Sequence, residues 1–174
     1  MGLSEDPCEE REIAWHSVQQ AWLKGNAEAA CAALTSLIEG ETTANADTWR
    51  LWGDTAAALG DLRLASRAYE QARRALPPGQ PGCKWLNRYL YARLQAGATP
   101  SEIQEKHYAA LVPPTALEDQ LIGLALEADL HHRLGHIPQA SVVGKELLAL
   151  GLDTSGVAFE FLGHVRGRIW LMLA

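Results

Sequence analysis

A chain of 174 residues, 48% of them hydrophobic, has the material for one sizeable domain with a buried core. Its 21 acidic residues outnumber 15 basic ones, giving a net charge of −6. This argues against a broad nucleic-acid surface or attraction to anionic lipid, both of which need clustered Lys and Arg. No stretch is apolar for long enough to span a bilayer, and Cys8, Cys31 and Cys83, odd in number and without a CxxC pair, point to reduced thiols in a cytoplasmic protein.

Along the chain, residues 1–10 are acidic and lack the apolar core of a secretory signal. Asp6-Pro7-Cys8-Glu9 carries an acceptor, a first-turn proline and a glutamate three residues after the cap, and predicts a helix over 7–24. Gly25 ends it, and a second helix follows over 27–39. After a break at 40–46, Asp47 is a candidate cap for a helix over 47–59; Gly60 separates this from a helix over 62–76. The Pro-Pro-Gly-Gln-Pro-Gly break at 77–82 leads into a helix over 82–96. Gly97 and the capping box Thr99-Pro100-Ser101-Glu102 introduce a helix over 100–111. After a break at 112–115, the box Thr115-Ala116-Leu117-Glu118 opens a helix over 116–134. Gly135 precedes a helix over 138–151, and Thr154 or Ser155 caps a last one over 155–173. No alternating β-branched run and no Asn-Gly or Asp-Gly turn interrupts this all-α pattern.

Gly25, Gly60, Gly97 and Gly135 each sit between two apolar helical stretches, at successive separations of 35, 37 and 38 residues. A period near this value, with one helix on either side of each glycine, is a repeat of helical hairpins. The longer breaks then fall between hairpins.

Residues 46–77 resemble a tetratricopeptide repeat (TPR). Trp49, Trp52 and Gly53 match the first helix of that motif, Gly60 its turn, and Ala65, Tyr69, Ala72 and Pro77 its second helix and end. The first unit keeps Gly25, Ala30 and Leu34, with Ala14 in place of the leading aromatic. The third keeps Leu86 and Gly97, but Glu102 replaces the small alanine and Thr99-Pro100 lengthens the turn, so this pair is expected to splay or shift in register. The fourth keeps Leu124, Ala128, Gly135, Ile137 and Ala140. Phe159, Leu162 and Gly163 look like the opening of a fifth.

The resemblance implies a single domain over 1–174, a right-handed superhelical solenoid of about four antiparallel hairpins (approximately 11–45, 46–79, 82–114 and 118–151) plus a terminal helix over 155–174. It also implies a concave groove faced by Trp15, Gln19 and Trp22 in the first unit, and by Asp47, Arg50, Asp54 and Ala57 in the second. Lys84, Asn87 and Tyr91 face it in the third, and Ala125, Asp129 and His132 in the fourth. The TPRs that clamp acidic chaperone tails use a dense Lys, Asn and Arg set. Lys84 and Asn87 do not reproduce it, and Asp47 and Asp54 oppose it.

Among the six tryptophans, Trp49 and Trp52 read as core. Trp15 and Trp22 read as hairpin packing more readily than as peptide anchors. Glu127 with His131, and His132 with His136, are four residues apart, but Gly135 breaks the second pair, so neither metal nor other cofactor is expected. No nucleophile elbow, phosphate loop or HExxH is present, and no enzyme activity is expected. In the last segment, Phe161, Val165, Ile169 and Trp170 contribute apolar surface, either for a homodimer or docking contact or for a capping helix.

These features lead to the expectation of a cytoplasmic adaptor or scaffold that binds a protein or peptide segment in the groove, with no nucleic-acid or membrane partner. The alternatives are a secretion-type chaperone for a hydrophobic client and a self-assembling structural protein.

Overall fold

The structure, a computed structural model, describes residues 7–79, 85–108 and 117–150. The helix expected over 155–173, with Phe161, Val165, Ile169 and Trp170, lies outside the described residues, as does Lys84.

Eight α-helices and no strand make up the regular structure of the described residues: α1 (Pro7–Leu23), α2 (Ala27–Gly40), α3 (Ala46–Ala58), α4 (Leu62–Arg74), α5 (Leu86–Gln95), α6 (Pro100–Tyr108), α7 (Leu117–Arg133) and α8 (Ile137–Ala149). None is long and apolar enough to cross a membrane.

Among the described residues, three side-chain caps start helices. Asn26 Oδ1 accepts from the Ala29 amide at 3.0 Å, Asn45 Oδ1 from Thr48 at 2.9 Å, and Asp61 Oδ1 from Leu64 at 2.9 Å. Asp47 is therefore not the cap of α3. Asn45 holds that place, and Asp47 lies in the first turn, where its charge favours the amide end of the helix.

The four glycine turns share one geometry. Gly25, Gly60, Gly97 and Gly135 have φ of 71°, 85°, 100° and 79°, the left-handed conformation that costs a side-chain-bearing residue. In each turn the glycine amide donates to the carbonyl three residues back, and the next amide donates to the carbonyl five residues back. In the second turn these bonds are Gly60 to Ala57 at 3.0 Å and Asp61 to Ala56 at 2.9 Å. In the fourth they are Gly135 to His132 at 3.1 Å and His136 to His131 at 2.8 Å. This double bond closes the helix end and satisfies carbonyls that would otherwise be orphaned.

Each odd-numbered helix packs on the next one in sequence. The resulting pairs join through α2 against α3, α4 against α5, α5 against α7 and α6 against α7. One continuous core runs from Val18 and Leu34 through Trp52, Tyr69, Leu90 and Ile103 to Leu126 and Leu147. Small residues govern the closest approach. A Cβ on Gly53 would lie 2.6 Å from the Tyr69 ring, so α3 and α4 can pack at this distance only with glycine there.

The third pair departs from the others in register. Ala30, Ala65 and Ala140, each five residues after a turn glycine, are buried. The corresponding residue in α6 is Glu102, which is paired with Arg93 at 3.1 Å and Lys106 at 2.8 Å, while Ile103, one residue on, is fully buried. The extra turn residue thus rotates α6 by one position and places a larger side chain in the slot. At the start of α5, Trp85 adopts φ 57°, unusual for a bulky residue. It is held there by burial and by the Arg50 guanidinium 5.9 Å from its ring centroid.

Candidate binding site

The residues nominated from sequence for the groove divide into two groups. Trp15, Gln19 and Trp22, spaced along one face of α1, gather around a cleft of about 360 Å³ with Val18, Leu23 and, from α3, Thr55. Trp15 leans on Trp52, with ring centroids 6.5 Å apart, and Trp52 meets Trp49 edge-on at 5.1 Å. Trp15 and Trp22 are half-buried, so each packs the hairpin and still presents part of its indole to the cleft. Gln19 is exposed, and Leu23 is 79% exposed at the rim.

Among the described residues the cleft lining contains no Asp, Glu, Lys or Arg. It offers apolar surface together with indole N–H groups, two amide side chains (Gln19 and Gln20), the His16 ring and the Thr55 hydroxyl, which donates to the Leu51 carbonyl at 2.9 Å. These groups suit the capture of an apolar segment whose few polar atoms find hydrogen-bond partners at the edge.

The second group lies inside the molecule. Asp54, Tyr91 and Asp129 are 7%, 1% and 0% exposed, so they do not face an open groove. The reason is tertiary: α4 and α5 close over Asp54, and α5 closes over Asp129. Asp54 accepts from Tyr69 Oη at 2.7 Å, Arg88 Nη1 at 2.7 Å and Arg50 Nη1 at 2.5 Å. Arg88 Nε also bonds Asp119 Oδ1 at 3.1 Å, and Asn87 Nδ2 donates to the Asp119 carbonyl at 3.1 Å. This network ties α3, α4, α5 and α7 together through a guanidinium that is only 2% exposed.

A smaller network joins Asp129 to Gln95 Nε2 and to Arg133 Nε at 3.1 Å, with Arg133 bonding Gln95 Oε1 at 3.0 Å. Arg50 and Asn87 are half-buried within the first network, His132 is half-buried and Asp47 is exposed. Neither Ala57 nor Ala125 presents a surface, both being buried.

Burial pushes the Tyr69 phenol well above its ordinary range, and the adjacent Asp54 carboxylate pushes it further, so it remains a donor. A third region, a cleft of about 620 Å³ between α1, α2 and residues 41–43, is charged by contrast. There Glu41 accepts from the Thr42 and Thr43 amides at 2.9 and 2.5 Å and from the Thr43 hydroxyl at 2.8 Å, with Arg11 at 3.4 Å. Burial raises the Glu41 pKa, but these donors outweigh it and hold the carboxyl below its usual value.

Comparison with protein-family models, characterised proteins and solved structures finds no match to this chain. The resemblance to a TPR therefore stands on the residue pattern.

Sequence reasoning did not nominate Val18, Leu23 or Thr55. Val18 lies three residues after Trp15 and four before Trp22, and Leu23 lies four after Gln19, so both follow from helical spacing, since residues three and four apart share a face. Thr55 has no such signal, because only the packing of α3 beside α1 brings it to the cleft.

Proposed function

We propose that this protein is a TPR-like helical-repeat adaptor. Its hairpins stack as a solenoid, and it holds a segment of a partner protein against the cleft between α1 and α3. The supporting observation is an apolar cleft whose described lining residues include no Asp, Glu, Lys or Arg, in which two half-buried indoles stand beside exposed Gln19 and Leu23. Tryptophans held by their own packing lose little freedom when they receive a ligand, which is why they anchor interfaces. The partner segment is apolar, in helical or extended form, with its affinity set by burial rather than ion pairing.

Gln19→Arg tests this reading. The side chain is exposed, so the fold tolerates the change, while a guanidinium at the cleft is desolvated by an apolar ligand. Capture from host lysate by the immobilised full chain, read by mass spectrometry, should yield a partner whose recovery falls at least about tenfold with Gln19→Arg. Equal recovery on both proteins would remove the cleft as the binding site.

A further inference from the structure

The cleft beside α1 and the last segment of the sequence carry matching patterns. Trp15, Gln19 and Leu23 recur at four-residue intervals along α1 and line the cleft. Outside the described residues, Val157, Phe161 and Val165 recur at the same interval over the same length of chain, about 12 Å in helical form. One pattern is an open apolar face, and the other is an apolar stripe of equal length.

The charges add a direction. Glu12 shares the face of Trp15 and Gln19, and it stands with Glu9 and Glu10 in the first turns of α1, all three exposed; Lys24 follows the helix end. The last segment has the reverse order. Glu160 comes first, then Arg166 and Arg168, with no Asp or Glu after them.

We propose that residues 157–170 of a second copy of this chain dock antiparallel along α1, with Phe161 at Gln19. This rests on the reading of the cleft as a site for an apolar segment, and names its occupant. In this register Val157 meets Leu23, Val165 meets Trp15, and Arg168 lies opposite Glu12, while Glu160 comes within a turn of Lys24. The parallel register sets Arg166 against Lys24 and leaves the three glutamates facing no cation. Exposed ion pairs add little affinity, so apolar burial supplies the strength and the charges select the direction.

Reach decides between the chain's own segment and that of a second copy. Packing leads from α8 to α1 by way of α7, α5, α4 and α3, at about 8–10 Å for each pair of helices. Residues 151–156, which precede Val157, extend about 20 Å at most. The docked segment therefore comes from a neighbour.

The test is sedimentation velocity of the full chain over a range of concentrations. Reversible self-association is expected, weakened at least about tenfold by Gln19→Arg, which places a cation where the aromatic ring docks. Charge reversal in the segment, Arg166→Glu with Arg168→Glu, should weaken it about threefold, as should Glu9→Arg with Glu12→Arg on α1. Combining the two reversals in one chain should restore the association, a rescue that misfolding of either element does not give. A protein monomeric at every concentration, or an association unchanged by all of these substitutions, would overturn the proposal. If Gln19→Arg still loses a partner captured from lysate in either case, the cleft keeps its adaptor role and only this occupant is removed. If Gln19→Arg changes neither self-association nor capture, the cleft itself is removed as a site.

Discussion

At the level of single residues, the tightest constraint is Gly53 under the Tyr69 ring. A methyl group there meets ring carbons at 2.6 and 2.7 Å, with a buried aromatic that has no room to retreat. Gly53→Ala is expected to destabilise the fold by about 1–3 kcal/mol, measured by chemical denaturation, despite alanine's better helix propensity. Arg88 carries the opposite kind of constraint, since its charge is buried and paired with two carboxylates. Arg88→Met leaves Asp119 without the guanidinium and Asp54 with only Arg50 and Tyr69, at an expected cost of about 3–5 kcal/mol. Tyr69→Phe removes one neutral donor from the same carboxylate and should cost about 1–2 kcal/mol. A result in which Tyr69→Phe costs as much as Arg88→Met would show that the phenol, not the ion pairs, organises the network.

At the level of elements, the caps and the 41–44 bend decide where helices begin and how they respond to pH. Asn45→Ala removes the acceptor for the Thr48 amide and should cost about 1 kcal/mol in thermal or chemical unfolding. Glu41 connects α2 to α3 by gathering three backbone amides, from Thr42, Thr43 and Ala44, and reaching Arg11 on α1. Its folded carboxyl titrates below its unfolded value, so the stabilisation is fully present above about pH 4.5 and is lost as pH falls through the folded pKa. Glu41→Gln should therefore be less stable than the unmodified protein at pH 7, and the gap should close toward pH 3 in paired denaturation curves. His107 on α6 adds a second acid-sensitive step. Burial lowers its pKa, with Glu127 opposing, so the unfolded chain takes up the proton first and stability begins to fall as pH drops below about 6.5.

At the level of the whole molecule, the joints between hairpins are unequal. The second hairpin is tied to α5 and α7 by packing of α4 on α5 and by the Asp54–Arg88–Asp119 network. The first hairpin meets the second through sparse contact of α2 with α3 and through the Trp15–Trp52 ring contact. In a repeat array, neighbour contacts set local stability, so α1 and α2 should exchange their amides faster than α3 to α5. Trp15→Ala should widen that difference in hydrogen-exchange mass spectrometry, raising exchange in α1 and α2 while leaving α5 and α7 unchanged. Uniform acceleration over all helices would instead mark the described chain as one cooperative unit.

The sequence by itself determined the local order: eight helix positions, the four turn glycines and most of the buried face of α3 and α4. Those features depend on backbone conformation and periodicity, which each segment carries internally. Tertiary structure decided which side of a helix meets solvent. Gln19, Asp54, Tyr91 and Asp129 occupy the same position, six residues before a turn glycine, yet only Gln19 is exposed. Neighbouring helices cover the other three and turn two carboxylates into internal acceptors, whereas no described helix covers Gln19. The same distinction accounts for the His131–His136 contact, which helical spacing does not give: that spacing is local, but a turn that reverses the chain sets its own geometry through the hydrogen bonds that close it.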